Sequence, residues 1–121
     1  MRILIADDDD ISMLALEAML HKRGHTVLTA GDGEAAWQIL QEAEPPPLAI
    51  LDWMMPVLDG VEICRRVRAE PKLKSLYLML LTSRGSREHL IEGLQAGAND
   101  YIAKPLDVER LLSLVRVWMP K

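Results

Sequence analysis

The chain has 121 residues, of which 50% are hydrophobic and 26% charged, the balance of one ordinary folded domain rather than of a disordered segment. A formal charge of −4, from 14 basic and 18 acidic residues, argues against a broad nucleic-acid surface, which needs a basic stripe. No apolar run reaches the ~18 residues of a membrane span, no leader pattern opens the chain, and the single Cys64 cannot form an internal disulfide. These features predict one domain over residues 1–121 and a cytoplasmic location, with Cys64 as a small buried hydrophobe.

Arg2 to Ala6 is a continuous apolar run that ends in Asp7, Asp8, Asp9 and Asp10. It predicts a strand covered on both faces, with an acidic cluster at its carboxyl end. From Ile11 the apolar spacing becomes helical. Ile11, Ala15, Leu16, Met19 and Leu20 are expected inward, His21, Lys22 and Arg23 suit the helix C-terminus, and Gly24 terminates it. His25 to Ala30 predicts a second strand, Gly31 to Glu34 a turn, and Ala36, Ile39 and Leu40 the inner face of a second helix stopped by Pro45, Pro46 and Pro47.

Leu48 to Leu51 predicts a buried third strand that delivers Asp52 to a loop containing Pro56 and the pair Asp59-Gly60. The third helix buries Ile63, Cys64 and Val67, turns Arg65, Arg66 and Arg68 outward, and ends at Pro71. Leu76 to Leu81 predicts a fourth strand that ends in Thr82 and Ser83. Ser86 then caps a helix with Leu90, Ile91 and Leu94 inside and Gly97 at its end. Asp100 to Ala103 is a short fifth strand followed by Lys104 and Pro105. Asp107 caps the last helix, whose core stripe is Val108, Leu111, Leu112, Val115 and Met119. Leu114, Val117 and Trp118 lie off that stripe and predict a contact face for another domain, a partner protein or a second copy in a homodimer. The scattered His21, His25 and His89 are expected in solvent.

Five alternations of strand and helix predict an α/β fold, a five-stranded parallel sheet doubly wound with five helices, because short parallel connections require right-handed crossovers. Ligands of such sheets bind outside the carboxyl ends of the strands. Those ends carry Asp7, Asp8, Asp9, Asp52, Thr82, Ser83 and Lys104. Converging carboxylates repel unless a cation sits among them, and hard oxygen ligands suit Mg2+. A hydroxyl and a lysine facing that metal suit a phosphoryl group. Taken singly, each residue reads as a helix cap or a solvated charge; their convergence at four strand ends favours a site.

The segments Ile5-Ala6-Asp7-Asp8-Asp9, Leu51-Asp52-Trp53-Met54-Met55-Pro56-Val57-Leu58-Asp59-Gly60, Leu81-Thr82-Ser83 and Asp100-Tyr101-Ile102-Ala103-Lys104-Pro105, in that order, resemble the receiver domain of two-component response regulators, close to the chemotaxis type. The resemblance covers essentially the whole chain and implies the flavodoxin-like strand order 2-1-3-4-5. It implies that Asp52 accepts a phosphoryl group from a phosphohistidine on a sensor histidine kinase or histidine phosphotransfer protein. It further implies Mg2+ held by Asp8, by Asp7 through water, by Asp52 and by the backbone carbonyl of Met54. Lys104 and Thr82 would contact the phosphoryl oxygens, Thr82 and Tyr101 would form the switch, and Lys104-Pro105 would be cis. Met54 and Arg84 occupy the positions that tune phosphoryl lifetime in the family, and Leu114 replaces a basic residue usual in the dimerising winged-helix members. Alternatives are a docking receiver that works without phosphorylation and a haloacid-dehalogenase-like phosphohydrolase; the latter requires a second Asp where Met54 stands. The domain itself is not expected to bind nucleic acid or membrane.

Overall fold

The computed structural model describes residues 1–82, 87–103 and 108–118, with the side chains of residues 87, 108 and 118 excepted. The strands are β1 (Arg2–Ala6), β2 (Thr26–Ala30), β3 (Leu48–Asp52), β4 (Tyr77–Thr82) and β5 (Asp100–Ala103). The helices are α1 (Asp10–Lys22), α2 (Gly33–Leu40), α3 (Gly60–Ala69), α4 (Arg87–Ala96) and α5 (Val108–Trp118). All strands run parallel in the order β2-β1-β3-β4-β5, so the sequence of alternating elements and the implied strand order are both present.

The apolar runs form strands because both of their faces are covered. Leu4, Ala6, Ala49, Leu51, Leu78 and Leu80 alternate onto one side with residues of α2, α3 and α4. Ile3, Ile5, Leu48, Ile50, Met79, Leu81 and Ile102 alternate onto the other with Leu16 and Leu20 of α1 and Leu111 and Val115 of α5. The period of two thus sorts each strand between two cores. Asp9, Asp32 and Asp59 cap α1, α2 and α3 by accepting backbone N–H bonds from Ile11, Ala35 and Glu62, which accounts for several acidic residues without a role in chemistry.

Several expectations are corrected. On α1 the buried positions are Leu16 and Leu20, whereas Ile11 is 80% exposed and Ala15 is also exposed. Two faces of that helix are apolar, and periodicity alone does not choose between them. On α4, Gly93 and Ala96 are buried while Ile91 and Leu94 are exposed. The helix sits too close to the sheet for larger residues, since a Cβ on Gly93 would approach Leu80 to 2.9 Å. α2 ends at Leu40, ahead of the prolines. Leu114 is half-buried against the α1/α5 core rather than standing off it, while Val117 is exposed.

Arg68 does not point outward. Its guanidinium donates to the carbonyls of Gly97 (2.9 Å), Lys74 and Leu76 (both 2.8 Å) and to Asn99 Oδ1. Asn99 Oδ1 also accepts the Leu78 N–H, so one side chain ties the end of α3 to the start of β4 and the turn before β5. Two histidines are likewise misplaced by the solvated expectation. His25 is buried, and His89 is half-buried with its ring edge-on to Trp53 at 5.7 Å. Cys64 is buried as expected, and burial pushes its thiol up to about 12, which makes it a packing residue and not a nucleophile.

Candidate functional site

Strand register builds the site. Ala6 of β1 pairs with Leu51 of β3, so Asp7 and Asp52, the next residues on each chain, leave the sheet side by side. Both belong to the alternation set of Ile3-Ile5 and Leu48-Ile50 and therefore lie toward α1 and α5. Asp7 and Asp52 are buried and Asp8 is exposed. One carboxylate oxygen from each of the three lies within 4.8 Å of the others. Asp7 Oδ1 also accepts the Asp9 N–H at 2.9 Å, which orients that carboxylate. Asp9 itself is engaged by Ile11 N–H and the Ser12 hydroxyl and belongs to the α1 cap.

The donor set fits a hard divalent cation. Oxygens around one Mg2+ at ~2.1 Å are at most ~4.2 Å apart, so small side-chain adjustments bring these three into one shell. Met54 is partly exposed on the loop directly after Asp52. The loop is held in place by the Trp53 N–H donating to Leu81 O (2.8 Å) and the Gly60 N–H donating to Trp53 O (2.9 Å). A Cβ on Gly60 would approach Asp52 O to 2.7 Å, so only glycine lets α3 begin this close to the strand end. Residue type alone marks Gly60 as a helix start and not as a packing requirement.

Sequence reasoning also missed Val57. It has φ 71°, is 77% exposed, and is the middle residue of a turn closed by Leu58 N–H on Pro56 O at 2.8 Å. This is the strained γ-turn, rare for any residue and worse for a β-branched one. The Gly33 N–H also reaches Pro56 O at 3.4 Å, and a Cβ on Gly33 would fall 1.8 Å from Leu58 O. The γ-turn is thus wedged against the first residue of α2. A glycine or asparagine at position 57 would have flagged the conformation; valine does not.

Thr82 is buried at the end of β4, one residue beyond Leu81, the register partner of Asp52. It alternates with Leu78 and Leu80 onto the α4 side, and Leu80 pairs with Tyr101. Thr82 and the half-buried Tyr101 therefore share the α4 side of the sheet. Lys104, Pro105, Ser83, Arg84, Ser86, Asp107 and Met119, and the side chain of Trp118, lie outside the described residues.

The family model of the response regulator receiver domain matches residues 3–116. The chain belongs to that family. It is 40% identical over 114 residues to the transcriptional regulatory protein AfsQ1 of Streptomyces coelicolor, a match covering 94% of this chain and 49% of AfsQ1. The chain therefore spans about half the length of that curated relative. A response regulator structure from Chloroflexus aurantiacus superposes with a TM-score of 0.89 at 39% identity, covering 96% of this chain and 94% of that one. The receiver domain of the sensor histidine kinase PA1611 from Pseudomonas aeruginosa, solved with a magnesium ion in its active-site cleft, has a TM-score of 0.86 at 31% identity, covering 97% and 95%. Among the described residues no helix is long and apolar enough to cross a membrane.

Proposed function

We propose that this receiver domain is a phosphoacceptor switch in which Asp52 takes a phosphoryl group from a phosphohistidine on a sensor histidine kinase or histidine phosphotransfer protein. The observation that carries the reading is the meeting of the Asp7, Asp8 and Asp52 carboxylates within 4.8 Å at the carboxyl ends of β1 and β3. An Asp52 oxygen attacks phosphorus as the bond to the donor imidazole breaks, leaving an acyl phosphate on Asp52 and free histidine on the donor. Asp7 and Asp8, with Asp52 and the Met54 carbonyl, would hold Mg2+, as the magnesium-bearing PA1611 receiver supports. Bound there, Mg2+ would supply positive charge that offsets the repulsion of the carboxylates for an anionic phosphoryl group. Thr82 and Lys104 would accompany those oxygens.

Once phosphorylated, Asp52 would shift a two-state equilibrium that Thr82 and Tyr101, on the same side of the sheet, pass to the surface of α4, β5 and α5. The output is an attached domain or a partner protein, and the domain's own chemistry is confined to its phosphorylation and dephosphorylation. A cytoplasmic location fits donors of this class. Of the residues proposed as the α5 contact face, the exposed Val117 is retained, while Leu114 packs half-buried against the core.

Incubation with Mg2+ and acetyl phosphate tests the reading. Intact mass should show one added phosphoryl group that is stable to acid, labile to alkali, abolished by EDTA and absent from Asp52→Asn. No adduct on the wild-type protein would overturn the switch, and rapid multiple turnover of small phosphate esters would favour the hydrolase.

A further inference from the structure

The pole of the sheet opposite the carboxylate cluster carries a second concave feature. α1 ends there, and the chain turns through Gly24 (φ 88°) and His25 into β2. α5 packs alongside, and between them lies a cavity of about 170 Å³ lined by Arg23, His25, Leu112, Val115 and Arg116. No carboxylate is among those lining residues. Near the end of α1, Leu20 O accepts the N–H groups of Arg23 and His25, and His21 O accepts that of Gly24. The charged side chains among the described lining residues, Arg23 and Arg116, are both cationic, in a chain whose formal charge is −4.

Among the described residues, neither the Arg23 nor the Arg116 guanidinium forms an ion pair or hydrogen bond. His25 is only 6% exposed, and its Nδ1 has no hydrogen-bond partner. Buried polar nitrogens are nearly always satisfied, and a small turn of the ring would present this one to the cavity that His25 lines. An adjoining cavity of about 400 Å³, lined by Met19, Lys22, Arg23 and Leu112, adds a third cation and an apolar wall.

We propose that this paired cavity binds a small organic phosphate. Its oxyanion would lie between the guanidinium groups of Arg23 and Arg116 above the His25 imidazole, and its apolar body against Met19 and Leu112. Arginine forks match phosphate oxygens, and two of them with an imidazole favour a dianion over a single carboxylate. The site is separate from Asp52, since it lies beside the starts of β1 and β2 rather than beyond their ends.

The test is an amide NMR titration in EDTA at constant ionic strength with inorganic phosphate, phenyl phosphate, phenylacetate and chloride in turn. Saturable shifts are expected at Arg23, Gly24, His25, Leu112 and Arg116, tighter for phenyl phosphate than for inorganic phosphate or phenylacetate. The Arg23→Gln/Arg116→Gln variant should bind phenyl phosphate at least about tenfold more weakly while keeping its melting temperature and its acetyl phosphate reaction. Shifts that fail to saturate, that chloride reproduces, or that persist in the double variant would overturn the proposal and leave a His25 hydrated by water alone.

Discussion

Replacing Asp52 with Asn is expected to stabilise the metal-free protein. The three carboxylates meet within 4.8 Å, and Asp7 and Asp52 are both removed from water. Two unit charges at such a separation repel by about 3.5 kcal/mol at an effective dielectric constant of ~20. Asp7 and Asp52 have other interactions and Asp8 is exposed, so part of that repulsion is already offset. A net gain of about 1–2 kcal/mol remains for the isosteric Asn. Unfolding entropy of about 2 cal/mol/K per residue translates this into a rise of about 4–8 °C in melting temperature.

Added Mg2+ should then reverse the order of benefit. At ten times its dissociation constant an ion bound at the proposed site would stabilise the wild-type protein by about 1.4 kcal/mol, whereas the variant has lost one of the three carboxylates and should gain less. Thermal melts followed by circular dichroism, in EDTA and across a Mg2+ series, measure both effects. An Asn variant that melts at or below wild type in EDTA, or an equal response of both proteins to Mg2+, would refute the account of the site as a repulsive cluster built for a cation.

Relief of the γ-turn should stabilise the protein by about 0.5–1 kcal/mol in Val57→Gly, since the left-handed penalty exceeds the chain entropy glycine adds; Val57→Ala keeps the strain and should show no such gain in urea melts. Arg68→Ala is expected to cost about 1–3 kcal/mol, because it leaves the part-buried Leu76 and Gly97 carbonyl bonds, and the exposed one to Asn99, without their charged donor. Equal urea midpoints for wild type and variant would rule out the tie. Burial, and secondarily the Met1 ammonium, lowers the pKa of His25 below its ordinary 6.5. The unfolded chain therefore binds the extra proton first, and the stability from neutral His25 is full above that value and declines as pH falls below it. In phosphate-free buffer the stability difference between wild type and His25→Gln should shrink from neutral pH toward pH ~5; a constant difference would show that His25 does not titrate with folding.

What the residues determined by themselves is local. Uniform apolar runs of four to six residues can be strands only if both faces are covered, so the strands of β1, β3 and β4 and the doubly wound architecture follow from composition and alternation. An Asp at the end of such a run stands at the sheet's carboxyl edge wherever the strand pairs, and for that reason Asp7, Asp8 and Asp52 were legible as a group. Tertiary structure decided which apolar face of α1 is buried, why Gly33, Gly60 and Gly93 must lack a Cβ, and that Val57 is strained. It also drew Arg68 inward to carbonyls of residues 74, 76 and 97 and buried His25 against α5. Each of these depends on an atom far away in the chain, and a pattern read within one turn or one strand contains no term for such a neighbour.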